Sequence, residues 1–148
     1  MLSKSGKYAI RAVLYISNHS NKNNKIGSKE IANKLHIPAP FLAKILQELT
    51  KKEIISSVKG PHGGFYLSQK NNNKTLFDII DCIDGIQKFE NCFLGQEECN
   101  ENKPCVIHHL YVPFKNKLLS KLKTKTIVEM AIEYSKNNNF FDFVKLNE

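Results

Sequence analysis

Three of the chain's four cysteines fall in one short polar stretch, and a histidine follows the last of them: Cys92-x6-Cys99-x5-Cys105-x2-His108. Thiolates and imidazole are ligands for zinc and for iron–sulfur centres. The spacing is not the paired C-x2-C of a zinc ribbon. It suits a loop wrapped around one compact inorganic centre. Most residues between the cysteines are polar, which excludes a buried apolar role. Residues 75–102 also hold seven acids and one lysine. Negative surroundings raise a thiol's pKa, so a bare reactive thiolate is disfavoured there unless a metal is bound. Iron–sulfur clusters take Cys thiolates, and His can replace Cys on an iron. Zinc would accept the same Cys3His set as a tetrahedral site. Spacing leaves both open, beside a third reading of reduced, unligated thiols. Cys82 lies beside an apolar helix face and reads as a packed side chain. His109 reads as a neighbour without a ligand role, and His19, His36 and His62 as loop or surface residues.

What such a site serves must come from the rest of the chain. At 148 residues with 41% hydrophobic side chains, it has the makings of one core-bearing domain with an appended segment. No run approaches the ~18 apolar residues of a membrane span. Arg11 interrupts the N-terminal apolar stretch, so that stretch is a poor secretory signal. A cytoplasmic protein with reduced thiols is expected. The net charge of +8 is unevenly spread. Residues 1–74 hold 13 Lys/Arg against 3 Asp/Glu, and residues 75–148 hold 9 against 11. A basic half of this size favours a polyanionic partner, nucleic acid above all. Arg11 is the sole arginine, which limits bidentate guanine reading.

Apolar periodicity predicts a first helix over residues 5–17, then an Asn-rich loop. Ser28 is placed as the N-cap of a short helix, "KEIANKL". A tight "HIP" connection leads to a longer helix, "APFLAKILQELTKK", with Pro40 in its first turn. Phe41, Leu42, Ile45, Leu46 and Leu49 are expected to be buried, leaving Ala39, Ala43, Lys44, Gln47 and Lys51 outward. "IISSVKGPHGGFYLSQ" reads as a β-hairpin with a Gly/Pro-rich tip, and residues 71–74 as a polar breaker. Thr75 and Asp78 form a capping-box pattern for a further helix that Gly85 would end. After the cysteines, Leu110, Phe114, Leu118 and Leu122 recur every four residues as a long stripe. Pro113 would either begin that helix or kink it. "TIVEMAIEYSK" would fold back as a last helix.

Short helix, tight turn, second helix and hairpin, in that order, make a winged helix-turn-helix. The fold expected is mainly α with a small β-hairpin wing, a DNA-binding domain over residues 1–74, and a cluster-binding loop with dimerisation helices over residues 75–148. The second helix would enter the major groove of double-stranded DNA. Lys44 would meet guanine or phosphate and Gln47 adenine, while Pro40 and Ala43 offer only shape and methyl contact. Ser28 is added as a DNA contact. Lys59, Gly60 and His62 at the wing tip would approach a phosphate or the minor groove. With so sparse a helix, specificity would lean on the wing and on DNA shape.

"SKSGKYAIRAVLYIS", "IANKLHIPAPFLAKILQEL", "ISSVKGPHGGFYL" and the Cys92–Cys99–Cys105–His108 set together resemble the bacterial iron–sulfur winged-helix transcriptional regulators of the IscR/NsrR type. The similarity runs to about residue 130. It implies a homodimer joined by the long helix after the cysteines, whose operator recognition is switched by the cluster. Cys92, Cys99 and Cys105 fall on the family's cluster cysteines. His108 falls on the fourth ligand of its two-iron, two-sulfur form, which is favoured here over a four-iron cluster because Tyr8 stands in the region where NsrR-like members supply a carboxylate. Lys59 replaces the wing arginine, and His62 a common glycine. The first cysteine gap is one residue longer than is common, and Ala43 replaces a recognition-helix glutamate, so operator preferences do not transfer. The alternative at the same site is a zinc-bound or metal-free thiol sensor on a winged-helix repressor. An enzyme is not expected, since Cys105 and His108 have no third orienting group and no oxyanion-stabilising loop.

Overall fold

The computed structural model describes residues 2–136. Helix α1 (Lys4–His19) is capped by Ser3, whose hydroxyl accepts from the Gly6 N–H at 2.9 Å. Its buried side carries Ala9, Ala12, Val13, Leu14 and Ile16. Helix α2 (Ser28–Leu35) and helix α3 (Ala39–Lys51) follow as the expected pair. Strands β1 (Ser56–Val58) and β2 (Gly64–Tyr66) form an antiparallel hairpin with Ser56 opposite Tyr66 and Val58 opposite Gly64. Helices α4 (Leu76–Ile83), α5 (Gln87–Glu90), α6 (His108–Thr124) and α7 (Ile127–Ser135) complete the described chain.

One buried cluster joins α1, α2, α3, α4 and α7, from Ala9 and Ile16 through Leu42, Leu46 and Leu49 to Ile79, Ile127 and Ala131. Helix α1 packs on α4 and α7 as well as on α2 and α3. Capping boxes, Thr75 with Asp78 and Thr126 with Glu129, start α4 and α7. Gly85 ends α4 at φ +76°, its N–H bonded back to Ile80 and Asp81 carbonyls.

Three local expectations are corrected. Ser28 is not an N-cap: Gly27 holds that position, Ser28 is the first helical residue, and no side chain caps the helix. The cause is Ile26, which exchanges two backbone hydrogen bonds with Phe65 (3.0 and 2.8 Å) and leaves the chain to turn into α2 at Gly27. That bridge also places an unforeseen third strand position beside β2, inside the stretch expected to be loop. Phe41 is not buried; it is 40% exposed. It stands about 90° around α3 from the Leu42–Ile45–Leu46–Leu49 stripe, at ~100° per residue, and that stripe alone sets the inward face. Of the two placements expected for Pro113, the structure has the second: it does not begin α6, which starts at His108, but lies inside it.

Two polar knots brace the frame. Asn71, fully buried in a 3-10 turn (Gln69–Asn71), donates from Nδ2 to the Glu53 carbonyl at 2.6 Å. Its Oδ1 accepts from Ser56 Oγ and from the Ser68 N–H and hydroxyl, each at 2.9 Å. The base of the wing is thereby tied to the end of α3. Asp84, at the end of α4, accepts from the Ser3 N–H at 2.8 Å and from the Ser3 hydroxyl, and lies 3.5 Å from Lys88 Nζ on α5. Gly6 makes room for it, since a Cβ there would sit 2.8 Å from the carboxylate. Burial alone would raise the Asp84 pKa, but the Ser3 bonds and Lys88 outweigh it and hold the carboxyl below its ordinary value.

Candidate functional site

The exposed side of α3 carries Pro40, Lys44, Gln47 and Lys51, with Ala43 half-buried. Between α3, the start of α2 and the wing lies a cleft of about 580 Å³, lined among others by Ser28, Gln47, Lys51, Lys59 and Gly60. Four of the eight predicted contact residues, Ser28, Gln47, Lys59 and Gly60, thus meet at one cleft. Pro40, Lys44 and His62 are exposed but outside its lining. The wing's course depends on glycine. Gly60 has φ +110°, and a Cβ on Gly63 would lie 2.1 Å from the Val58 carbonyl oxygen. A Cβ on Gly64 would press on the Ile26 backbone at 2.8 Å. The uncapped start of α2 leaves its first N–H groups without a side-chain acceptor beside the wing, an arrangement that favours anions. Arg11, the sole arginine, is spoken for elsewhere: its guanidinium donates to the Leu35 carbonyl at 2.6 Å. Burial lowers its pKa.

The thiol loop lies between α5 and α6. Cys92 is buried and opens a turn closed by the Gly95 N–H on its carbonyl at 3.0 Å, with Gly95 at φ +82°. The backbone N–H of Gln96, and then those of Leu94 and Gly95, donate toward the Cys92 sulfur, and the Cys105 thiol adds a further hydrogen bond. Together they lower the Cys92 pKa below that of a free thiol, despite its burial. Expectation from charge pointed the other way; the amide donors of the turn were not readable from composition. Cys99 Sγ lies 3.5 Å from His108 Nδ1. His108 is buried as the first residue of α6, and its N–H is bonded to the Cys105 carbonyl at 3.0 Å. Cys99 and His108 are thus in contact, and Cys105 lies near enough to Cys92 to act on its thiol. Among the described residues, no three His, Cys, Asp or Glu side chains converge as a single metal ion would require.

Tyr111 was not singled out from sequence. It is buried beneath Phe93 (ring centroids 5.3 Å apart) next to this loop. Burial raises its pKa, with Cys99, Glu90 and Cys92 adding to the shift. His109 is exposed, its ring edge-on to His108 at 5.5 Å. Cys82 is half-buried against the core, with a weak contact to the Glu48 carbonyl at 3.8 Å, and burial raises its pKa. All four cysteines are free thiols.

With a winged helix-turn-helix face and a Cys3His loop on one chain, comparison with known proteins becomes decisive. The Rrf2 family, described as iron-dependent transcriptional regulators, matches residues 2–133. The chain belongs to the Rrf2 family. A putative helix-turn-helix transcriptional regulator of Aquifex aeolicus is 35% identical over 132 residues, covering 88% of this chain and 90% of that protein. The regulator IscR of Sodalis glossinidius is 27% identical over 130 residues, covering 88% and 78%. Among solved structures, CymR, the global cysteine regulator of B. subtilis, superposes with a TM-score of 0.73 at 18% identity, covering 90% of this chain and 97% of that one. T. potens IscR superposes with a TM-score of 0.65 at 20% identity, covering 90% and 87%. The chain is an Rrf2-type transcriptional regulator with the expected winged-helix fold, and not an enzyme. Among the described residues, no helix is long and apolar enough to cross a membrane.

Proposed function

We propose that this Rrf2 protein is a cytoplasmic, homodimeric regulator whose operator binding is switched by an iron–sulfur cluster held by Cys92, Cys99, Cys105 and His108. The observation that carries the reading is the contact of Cys99 with His108 in a loop where no three donors converge among the described residues. A two-iron, two-sulfur cluster needs two protein ligands on each iron, and donors that meet by twos suit that need better than the single tetrahedron of zinc. The amide donors around Cys92 fit a thiolate ligand, since hydrogen bonds to the sulfurs tune such clusters. When bound, a cluster of this kind supplies an inorganic centre sensitive to electrons and to small reactive ligands.

The chain's own residues supply the rest. On the DNA side, Lys44, Gln47 and Lys59 carry much of the contact, Ser28 lies at the phosphate-favouring start of α2, and Pro40, Ala43, Gly60 and His62 shape the surface that meets the duplex. Residues 1–74 form the DNA-binding part and residues 75–148 the sensing and dimerising part. His108 is both a ligand candidate and the first residue of α6. Helix α6 exposes Leu110 (78%) and Phe114 (54%), an apolar stripe that a second copy of the chain would cover. Ordering the loop around its four donors would fix the start of α6, and hence the spacing of two DNA faces. Half-sites about 10 base pairs apart, or a multiple, are expected for such a dimer.

The experiment is anaerobic purification with visible absorption and iron, sulfide and zinc assays on one sample, repeated on Cys105→Ser. Coloured protein with equal iron and sulfide, lost in the variant, supports the reading. One zinc per chain, or a colour unchanged by Cys105→Ser, overturns it. A metal-free thiol sensor is the second reading, favoured by the lowered Cys92 pKa beside Cys105.

A further inference from the structure

The N-terminal half of α3 carries a platform that the DNA contacts named above do not use. Phe41, third residue of that helix, is 40% exposed. Its ring meets Tyr8 edge-on, centroids 5.7 Å apart at 86°. Tyr8 is itself flanked by two cations, Lys4 Nζ and the Arg11 guanidinium, each 5.8 Å from its ring centroid. Arg11 is pinned to Leu35. Phe41 is therefore braced from α1 and held outward rather than folded onto the core.

Its direction matters. Pro40, Lys44 and Gln47 share one line along α3, and Phe41 stands to the side of it, at ~100° per residue. With side chains a helix is about 10–12 Å across, and the major groove about 12 Å wide. When the line of Pro40, Lys44 and Gln47 faces the groove floor, a side chain on the flank must meet a groove wall. The thymine 5-methyl is the apolar feature of the major-groove edge and is contacted by Phe in direct readout. It projects from the side of the base nearest its own strand's backbone, so a flanking ring meets it while Lys4, exposed beside Tyr8 on α1, faces the phosphates of that wall. The remaining start of α3, Ala39 and Pro40, offers no side-chain donor for base reading, so an apolar side-chain reader is the one this end can provide.

We infer that Phe41, braced by Tyr8, is a specificity residue that selects thymine in the operator half-site through its 5-methyl group, with Lys4 holding a neighbouring phosphate. The inference rests on the reading that α3 enters the major groove. It is tested on the full chain by selecting a tight-binding duplex from a random-sequence library, then replacing each thymine singly with uracil. Replacement removes one methyl and keeps the pairing. Wild-type protein should lose about fourfold in affinity at one thymine per half-site, the worth of one buried methyl-sized group. Phe41→Ala should bind the thymine duplex more weakly and show no further loss at that uracil. Lys4→Ala should weaken both duplexes alike and lower the salt slope by about one. A half-site in which no methyl matters, or a methyl effect intact in Phe41→Ala, overturns the inference. The uracil scan needs no variant, and Phe41→Gln replaces Phe41→Ala should the latter not fold. A chain that selects no duplex refutes DNA recognition itself, a result distinct from an operator indifferent to its methyls.

Discussion

Cys99 Sγ lies 3.5 Å from Nδ1 of His108, and His108 is the residue from which α6 sets out. Loop and helix are thus joined at one side chain. In the proposed account, His108→Ala removes one ligand and also empties a buried position at the start of α6. Cluster loading should fall at least severalfold, with residual cluster showing a shifted visible spectrum. His108→Cys should restore loading with an all-thiolate spectrum at lower potential, because a His ligand raises it. Loading unchanged in His108→Ala would remove this residue from the ligand set.

On the DNA side, Lys59 is exposed at the wing tip and lines the cleft with Gln47. Lys59→Ala should weaken binding to all sequences about equally and reduce the salt slope by about one, as the loss of a phosphate contact does. Gln47→Ala should instead relax preference at one base pair, by about 1–3 kcal/mol. Anisotropy titrations at three salt concentrations separate the two outcomes.

The Asn71 side chain bonds to Glu53, Ser56 and Ser68, all within the fold. Asn71→Leu fills the space but leaves the Glu53 carbonyl and the Ser68 N–H without that partner. A loss of about 1–3 kcal/mol is expected, from part-buried groups left unsatisfied. Chemical denaturation measures it, and DNA affinity should fall along with it because the same knot holds the wing.

The Asp84 carboxyl is held below its ordinary pKa, so its contribution is present above the usual carboxyl range of about 4 and is lost as pH falls through the folded value. Asp84→Asn should cost about 1–2 kcal/mol at pH 7 through weaker bonds to Ser3 and Lys88. That gap should close as pH falls through the folded carboxyl's lowered pKa, below which the wild-type side chain is itself protonated. Melting curves of both proteins across that range check the sign. A gap that widens in acid would show that the ionised carboxylate is not what binds Ser3.

Much of this architecture was legible because local signals agreed with the fold. The Leu42–Leu49 stripe, the Thr75–Asp78 box and the glycine-rich wing tip each dictate their own geometry. Phe41 escaped because hydrophobicity does not say on which side of a 100° step a residue falls once a stronger stripe has set the inward face. Ser28 and Ile26 escaped together, since the pairing of Ile26 with Phe65 is a long-range backbone contact with no local signature. Asn71 was read as a breaker because a buried polar side chain is recognisable only through its partners. At the thiol loop, residue types named the donors, but the contact of Cys99 with His108 and the amide donors around Cys92 belong to three-dimensional structure.

The most direct test of the central claim is the iron and sulfide content of anaerobically purified protein, measured with its affinity for a selected operator duplex before and after cluster removal. The account predicts about two irons and two sulfides per chain, abolished by Cys105→Ser, and an operator affinity that changes when the cluster is removed. One zinc per chain without sulfide, or an operator affinity identical with and without the cluster, would contradict it.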